Sequence, residues 1–348
     1  MDLKALNELL PFVLKRENVA RYEDGAVYIG DRRKYPFTKE FVRCDDVEQV
    51  ARAIENMVTQ GGGPYVAAAF AMVMEAGRVE GKPLEEKLES LQNAKVRLTH
   101  TRPTNTAMAR RLDDIMKIAE DAGKQGESIE QALLNYIKET RDKAYVDYEI
   151  RARLGASLVE DGDGILTMCF AETAFILAMA FAQQDGKSIH VFTPETRPYL
   201  QGARLTAPSL HELGIPVQII TDNMPAHVMS QGKIQKYFTA ADLITMDGHV
   251  CNKIGTFQNA IAAHHHGIPY FVFMWGPDLK SPDRASIQIE NRDPSEIRAC
   301  RGEPTTIDEI DAYYPAFDIT PPYMVSGVIT RYGILSPYDL KRHFIKAE

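Results

Sequence analysis

Residues Asp163-Gly164-Ile165-Leu166-Thr167-Met168-Cys169 decide how the chain reads. A glycine turn, Asp161-Gly162-Asp163-Gly164, releases a short apolar run, which stops at a cysteine where a helical pattern begins. A short apolar run bounded in this way predicts a buried strand. In an open α/β sheet, ligands bind at the carboxyl ends of strands. A cysteine placed there meets the positive end of the following helix, which favours thiolate over thiol. Cys169 is therefore a candidate reactive thiol. The bland alternative is a buried structural cysteine, since free cysteine is among the most buried residue types.

Downstream the same grammar repeats. Short apolar runs at 164–168, 188–192, 216–220, 242–246 and 269–273 alternate with helical patterns. That alternation predicts a doubly wound parallel sheet with helices on both faces. Upstream the pattern differs. Apolar spacing over 2–16 suits an amphipathic helix, and 25–43 reads as a short hairpin made by Ala26–Ile29 and Tyr35–Phe37. Asp45 or Asp46 can cap a helix over 47–58, which the glycines at 61–63 end. Pro64 suits the first turn of the next helix, Tyr65–Ala76, and further helices without a strand fill 83–155. The expected division is a mainly helical N-terminal domain with a small hairpin, residues 1–155, followed by an α/β domain, residues 156–348.

Composition narrows the function classes. With 348 residues there is room for two domains, and 45% hydrophobic with 25% charged residues is ordinary for a globular protein. A formal charge of −8 argues against a nucleic-acid partner, because phosphate-backbone binding relies on clustered Lys and Arg. No apolar run reaches the about 20 residues a membrane span needs. The first residues lack the layout of a secretory signal, so a cytoplasmic protein with reduced thiols is expected. Cys44, Cys169, Cys251 and Cys300 share no metal-type spacing, so no metal is expected.

Two cofactor motifs fail on inspection. Gly162 and Gly164 are followed by Thr167 where a dinucleotide fingerprint needs a third glycine. Gly186-Lys187-Ser188 lacks the first glycine of a P-loop, a position held by Phe181. His264-His265-His266 cannot converge on one ion, because adjacent helical residues point about 100° apart. They read instead as cations at the negative end of a helix.

What remains carries acid–base chemistry. Asp242 opens the apolar stretch 242–246, and a lone carboxylate there is otherwise a solvated strand edge. Asn252-Lys253-Ile254-Gly255-Thr256 reads as a helix opening that offers N–H groups and a point charge to an anion. Arg102, held before Pro103, is a candidate phosphate fork. A thiol, a carboxylate and a phosphate cradle suit cofactor-free chemistry on a sugar phosphate.

These stretches resemble a known family. Ile165-Leu166-Thr167-x-Cys169, Gln201-Gly202-Ala203-Arg204-Leu205-Thr206-Ala207, Ala241-Asp242, Asn252-Lys253-Ile254-Gly255-Thr256 and Pro315-Ala316-Phe317-Asp318-Ile319-Thr320-Pro321 are similar to methylthioribose-1-phosphate isomerases, from about residue 30 to the C-terminus. The wider family includes ribose-1,5-bisphosphate and 5-deoxyribose-1-phosphate isomerases and regulatory subunits of translation initiation factor two-B. The resemblance implies a Rossmann-like C-terminal domain, a helical N-terminal domain, a homodimer, a sugar-phosphate substrate and no cofactor. It places the catalytic pair on Cys169 and Asp242, and substrate and phosphate contacts on Arg102, Gln201, Asn252, Lys253, Gly62 and Gly63. Three positions depart from the family pattern. Gly61 stands where the family has an arginine, Met168 and Phe170 replace polar neighbours of the thiol, and Asp247-Gly248-His249 stands for Asn-Gly-Asp. Apolar neighbours should raise the thiol pKa and the helix dipole should lower it; composition alone leaves that contest open.

Overall fold

The computed structural model describes residues 2–101 and 106–345. The chain divides into two compact units, Met1–Val146 and Asp147–Glu348.

In the first unit, α1 (Leu3–Glu8) is capped by Asp2, whose carboxylate accepts the Lys4 and Ala5 N–H groups. The helix expected through residue 16 stops early because Pro11 has no N–H to donate and is extended, at φ −66° and ψ 161°. A 3-10 turn and the short α2 (Arg16–Val19) follow. Strands β1 (Ala20–Glu23), β2 (Ala26–Gly30) and β3 (Phe41–Cys44) form an antiparallel sheet. The expected hairpin is thus re-partnered. β2 pairs with Ala20–Glu23 across an Asp24-Gly25 turn, both residues at positive φ, and with Phe41–Cys44, while 35–37 is a turn. Helices α3 (Val47–Glu55, capped by Asp46), α4 (Gly63–Arg78), α5 (Leu84–His100) and α6 (Thr106–Gln125) follow. Helix α7 (Ile129–Ser157) runs across the boundary between the units. α4 is buried along most of its length, and Ala68, Met72, Leu91, Leu98, Leu112 and Ile115 belong to one apolar cluster. Burying one Leu, Ile or Met there contributes about 1.5–3 kcal/mol.

The second unit is mixed α/β around a mostly parallel sheet. Its elements are β4 (Gly164–Thr167), α8 (Glu172–Gln184), β5 (His190–Pro194), α9 (Ala207–Glu212), β6 (Val217–Ile220), α10 (Pro225–Ser230), β7 (Lys236–Ala240) and β8 (Leu243–Ile244). Then come β9 (Val250–Lys253), α11 (Thr256–His265), β10 (Tyr270–Phe273), β11 (Ala299–Cys300), β12 (Glu303–Pro304), β13 (Phe317–Thr320), β14 (Gly327–Thr330), β15 (Gly333–Leu335) and α12 (Leu340–Phe344). The large sheet has the order β15-β14-β10-β7-β4-β5-β6, parallel except for β15. Every residue of β4, β10 and β14 is buried, as expected for parallel strands covered on both faces. The chain builds β4, β5 and β6 outward, then returns to place β7 on the other side of β4. The strand order therefore reverses between β4 and β7, where open α/β sheets leave a crevice at the carboxyl ends.

Two sequence expectations are corrected here. The strand expected over 242–246 is Lys236–Ala240 instead, paired with β4 and β10; only Leu243–Ile244 of the expected stretch is strand, in a separate antiparallel sheet, β13-β9-β8. The helix expected to open at Asn252 begins at Thr256, and Val250–Lys253 is a wholly buried strand held between β8 and β13. Gly255 makes the turn between them. Its φ of +99° suits glycine, and a Cβ would meet the Met168 Cε at 2.7 Å.

Candidate active site

The two central strands deliver the two candidate groups side by side. Thr167 of β4 pairs with Phe238 of β7, and each chain runs on past its strand, to Cys169 and to Asp242. The corrected strand assignment matters here. Asp242 follows the carboxyl end of a strand rather than opening one, so it shares the crevice with the thiol.

Cys169 sits in a left-handed backbone conformation, φ +62°, which costs a non-glycine residue energy unless the surroundings hold it. They do. Its N–H donates to the Thr196 Oγ1 at 3.2 Å, and the Thr206 hydroxyl donates to its carbonyl. Thr196 is itself left-handed, and the N–H groups of Thr196 and Arg197 both donate to the Asp222 carboxylate at 2.7 Å. The loop 195–206 is thus fastened around the cysteine. Gly202 is needed in it, because a Cβ would lie 1.8 Å from the Pro194 carbonyl oxygen. Within that loop Gln201 is 3% exposed, and its Oε1 has no partner among the described residues.

Lys253 ends β9 opposite Phe317 of β13. It is 4% exposed, its Nζ lies 4.6 Å above the Phe317 ring, and no ion pair holds it among the described residues. Burial lowers its pKa, opposed by the nearby Cys169 and Asp242. Asn252 is buried beside it and donates to the Thr256 Oγ1 at 3.0 Å. Arg292 approaches the same Phe317 ring, at 5.8 Å, and its Nε donates to the Glu290 Oε1 at 3.0 Å.

The surroundings of the thiol favour its protonated form. Burial pushes Cys169 up to about 11, against the pull of Lys253; Asp242 and Glu172 push it further up. Desolvation wins over the favourable charges, and at pH 7 the thiol keeps its proton. Asp242 is exposed as a residue, yet the protein packed around its carboxyl raises that group's pKa by desolvation, opposed by Lys253 and Arg292. A thiol and a carboxyl, neither far from a cation, can give and take protons at neighbouring points of one small substrate.

The structure brings Cys169, Asp242 and Lys253 near one another in the second unit, with Gln201 buried in the loop fastened at Cys169 and Asn252 next to Lys253 on β9. Gly62 and Gly63 lie in the first unit at the start of α4, where a Cβ on Gly63 would meet the Thr59 hydroxyl at 1.9 Å. Arg102 lies outside the described residues. Sequence reasoning missed Glu290, Arg292 and Tyr314, which sit in an irregular segment without periodicity, and missed the role of Asp318. The Asp318 carboxylate accepts the N–H groups of Gly255 and Phe257, so the start of α11 is already capped from within. Burial raises this carboxyl to about 6. The three histidines behave as read, closing α11 at an exposed helix end. Among the described residues no group of three His, Cys, Asp or Glu could hold a metal ion, and no helix is long and apolar enough to cross a membrane.

Residues 64–337 match the initiation factor 2 subunit family. A methylthioribose-1-phosphate isomerase of Chloroflexus aurantiacus is 37% identical over 330 residues, covering 91% of this chain and 94% of that protein. The crystal structure of 5-methylthioribose 1-phosphate isomerase from Pyrococcus horikoshii is similar at 31% identity with a TM-score of 0.85, covering 98% of this chain and 96% of that one. The translation initiation factor eIF-2B subunit delta from A. fulgidus is similar at 31% identity and a TM-score of 0.80, covering 92% and 96%. With such relatives along nearly its whole length, the chain belongs to the initiation factor 2 subunit family and, within it, groups with the methylthioribose-1-phosphate isomerases.

Proposed function

We propose that this enzyme is an aldose–ketose isomerase that converts a ribose 1-phosphate with a small apolar 5-substituent, 5-methylthioribose 1-phosphate or 5-deoxyribose 1-phosphate, to the ribulose 1-phosphate. One observation carries the reading. Cys169 and Asp242 emerge from adjacent central strands beside a buried lysine that makes no ion pair among the described residues. The 1-phosphate locks the sugar ring, so opening it needs a proton on the ring oxygen and loss of the C2 proton. The ring C1–O bond breaks, an enol forms between C1 and C2, and a proton delivered to C1, with loss of the enol hydroxyl proton, leaves a ketone at C2. Cys169 and Asp242 are the acid–base pair, Lys253 takes the phosphate, and the unpaired Gln201 Oε1 accepts from a sugar hydroxyl.

The strand order, reversing between β4 and β7, supports a Rossmann-like catalytic domain over 156–348 after a helical domain over 1–155. We extend the reading to a homodimer, as the family resemblance implies. The likeness to the initiation factor subunit favours one rival, a non-catalytic regulatory subunit. Incubating the purified protein with the two sugar phosphates and assaying ketose decides between them. Ketose formation that is lost in Cys169→Ser supports the isomerase; absence of turnover in the wild type promotes the rival.

A further inference from the structure

Tyr314 is 2% exposed, and its hydroxyl has no hydrogen-bond partner among the described residues. A buried hydroxyl without a partner destabilises the free protein, so such a group calls for a role elsewhere. Its surroundings are well built. The Arg292 N–H donates to the Tyr314 carbonyl at 2.9 Å, the Ala316 N–H donates to the Glu290 carbonyl at 2.8 Å, and Asn291 bridges to Pro315. Three residues on, Phe317 lies opposite Lys253. The segment thus fixes the phenol against the same wall that carries Arg292 and Lys253. The Arg292 guanidinium faces the hydroxyl without meeting hydrogen-bond geometry, and the phenol and the Cys169 thiol lie within electrostatic reach of one another. Burial raises the phenol pKa, so the group is a neutral donor and not a phenolate.

We propose that the Tyr314 hydroxyl is a further catalytic residue, donating a hydrogen bond to the substrate oxygen on C2 beside Cys169. The proposal rests on the isomerase reading of the site. When the enol collapses to the ketone, its C2 hydroxyl loses a proton as C1 gains one; charge builds on that oxygen as the proton leaves, and a preoriented donor stabilises it most in the transition state. Tyr314 keeps its own proton throughout; no bond to it forms or breaks.

The test is Tyr314→Phe, which keeps the ring and removes only the hydroxyl. Without ligand the variant should melt at the same temperature as the wild type or higher, because the lost hydroxyl had no partner. Its kcat should fall on the order of 10²-fold with KM little changed. A kcat within twofold of wild type overturns the proposal. So does a lower melting temperature together with lost activity, which would make the hydroxyl structural. If the wild type turns over neither sugar phosphate, the isomerase reading fails by itself, and calorimetry with ribose 1-phosphate decides about Tyr314. Weaker binding by the variant then supports the contact; equal or undetectable binding removes it.

Discussion

The Asp318 carboxylate accepts the Gly255 N–H at 2.7 Å, so the N-terminus of α11 is filled by the protein's own anion. A helix start is ordinarily an inviting anion site, yet here a substrate phosphate must look to side-chain cations. Lys253, on the strand leading into that turn, is buried without an ion pair among the described residues. The two facts belong together. The internal cap secures the turn, and under the proposed function the lysine's charge is left for the phosphate.

Lys253→Ala should therefore raise KM. Loss of a charge-assisted contact costs about 1.5–3 kcal/mol, roughly 10- to 150-fold. Because burial holds the Lys253 pKa below the ordinary lysine value of 10.5, the ammonium is lost earlier as pH rises. In the wild type KM should climb on the alkaline side before pH 10.5, and Lys253→Arg should move that rise to higher pH. A KM that stays flat in Lys253→Ala places the phosphate elsewhere.

Cys169→Ser should keep the fold and lose about 10²–10⁴ in rate. A thiol near 11 reacts slowly with iodoacetamide at pH 7, and its alkylation should rise about tenfold per pH unit until the thiol titrates. Bound substrate should protect Cys169. The buried Cys44 and Cys251, pushed up to about 11 and about 12, should not react in the folded protein. Mass spectrometry of alkylated peptides reads all three.

Asp242→Asn should abolish most turnover and, at the same time, make Cys169 easier to alkylate. The carboxylate's negative charge helps hold the thiol's proton on; removing it lowers the thiol pKa and increases the thiolate fraction at a given pH. Turnover lost without faster alkylation would mean that Asp242 does not reach the thiol. Normal turnover in Asp242→Asn would return the residue to a solvated carboxylate.

Asp318→Asn isolates the cap. Asp318 has its folded pKa raised from 3.8 to about 6, so its contribution to stability is full below 3.8 and is lost as pH rises through 6. The asparagine carries no such titration. Melting temperatures of wild type relative to variant should therefore fall between pH 4 and pH 7; a constant difference across that range shows that Asp318 does not titrate there.

Ribose 1,5-bisphosphate should be a poor substrate. Of the arginines near the thiol loop, Arg197 is spent on the Ile297 and Ala299 carbonyls, and Arg204 donates to the Tyr199 carbonyl. A second phosphate buried without partners would cost several kcal/mol. Methylthio and methyl groups at C5 differ only in apolar bulk, so kcat/KM for the two 5-substituted sugars should differ by roughly 10–200-fold at most. Preference for the bisphosphate would reassign the enzyme.

Local pattern alone marked the strand ending at Cys169, the Asp46 cap, Pro64 in a first turn and the helix closed by three histidines, because each rests on neighbours in sequence: periodicity, a capping carboxylate, a fixed φ. Strand choice was a different matter. Leu243–Met246 is as apolar as Tyr237–Ala240, and only pairing with β4 and β10 selects the latter for the sheet, which moves Asp242 from a strand's start to a strand's end. Val250–Lys253 became a strand because β13, more than 60 residues later by its register, lies against it. Tertiary structure likewise decided the thiol's proton. Burial is a property of the assembled crevice, and at Cys169 it outweighs the opposing pull of Lys253, a partner that only the fold brings near. Arg292, Tyr314 and Asp318 join the site for the same reason: long-range backbone bonds bring an irregular segment back to the strand ends, and no local periodicity encodes that return.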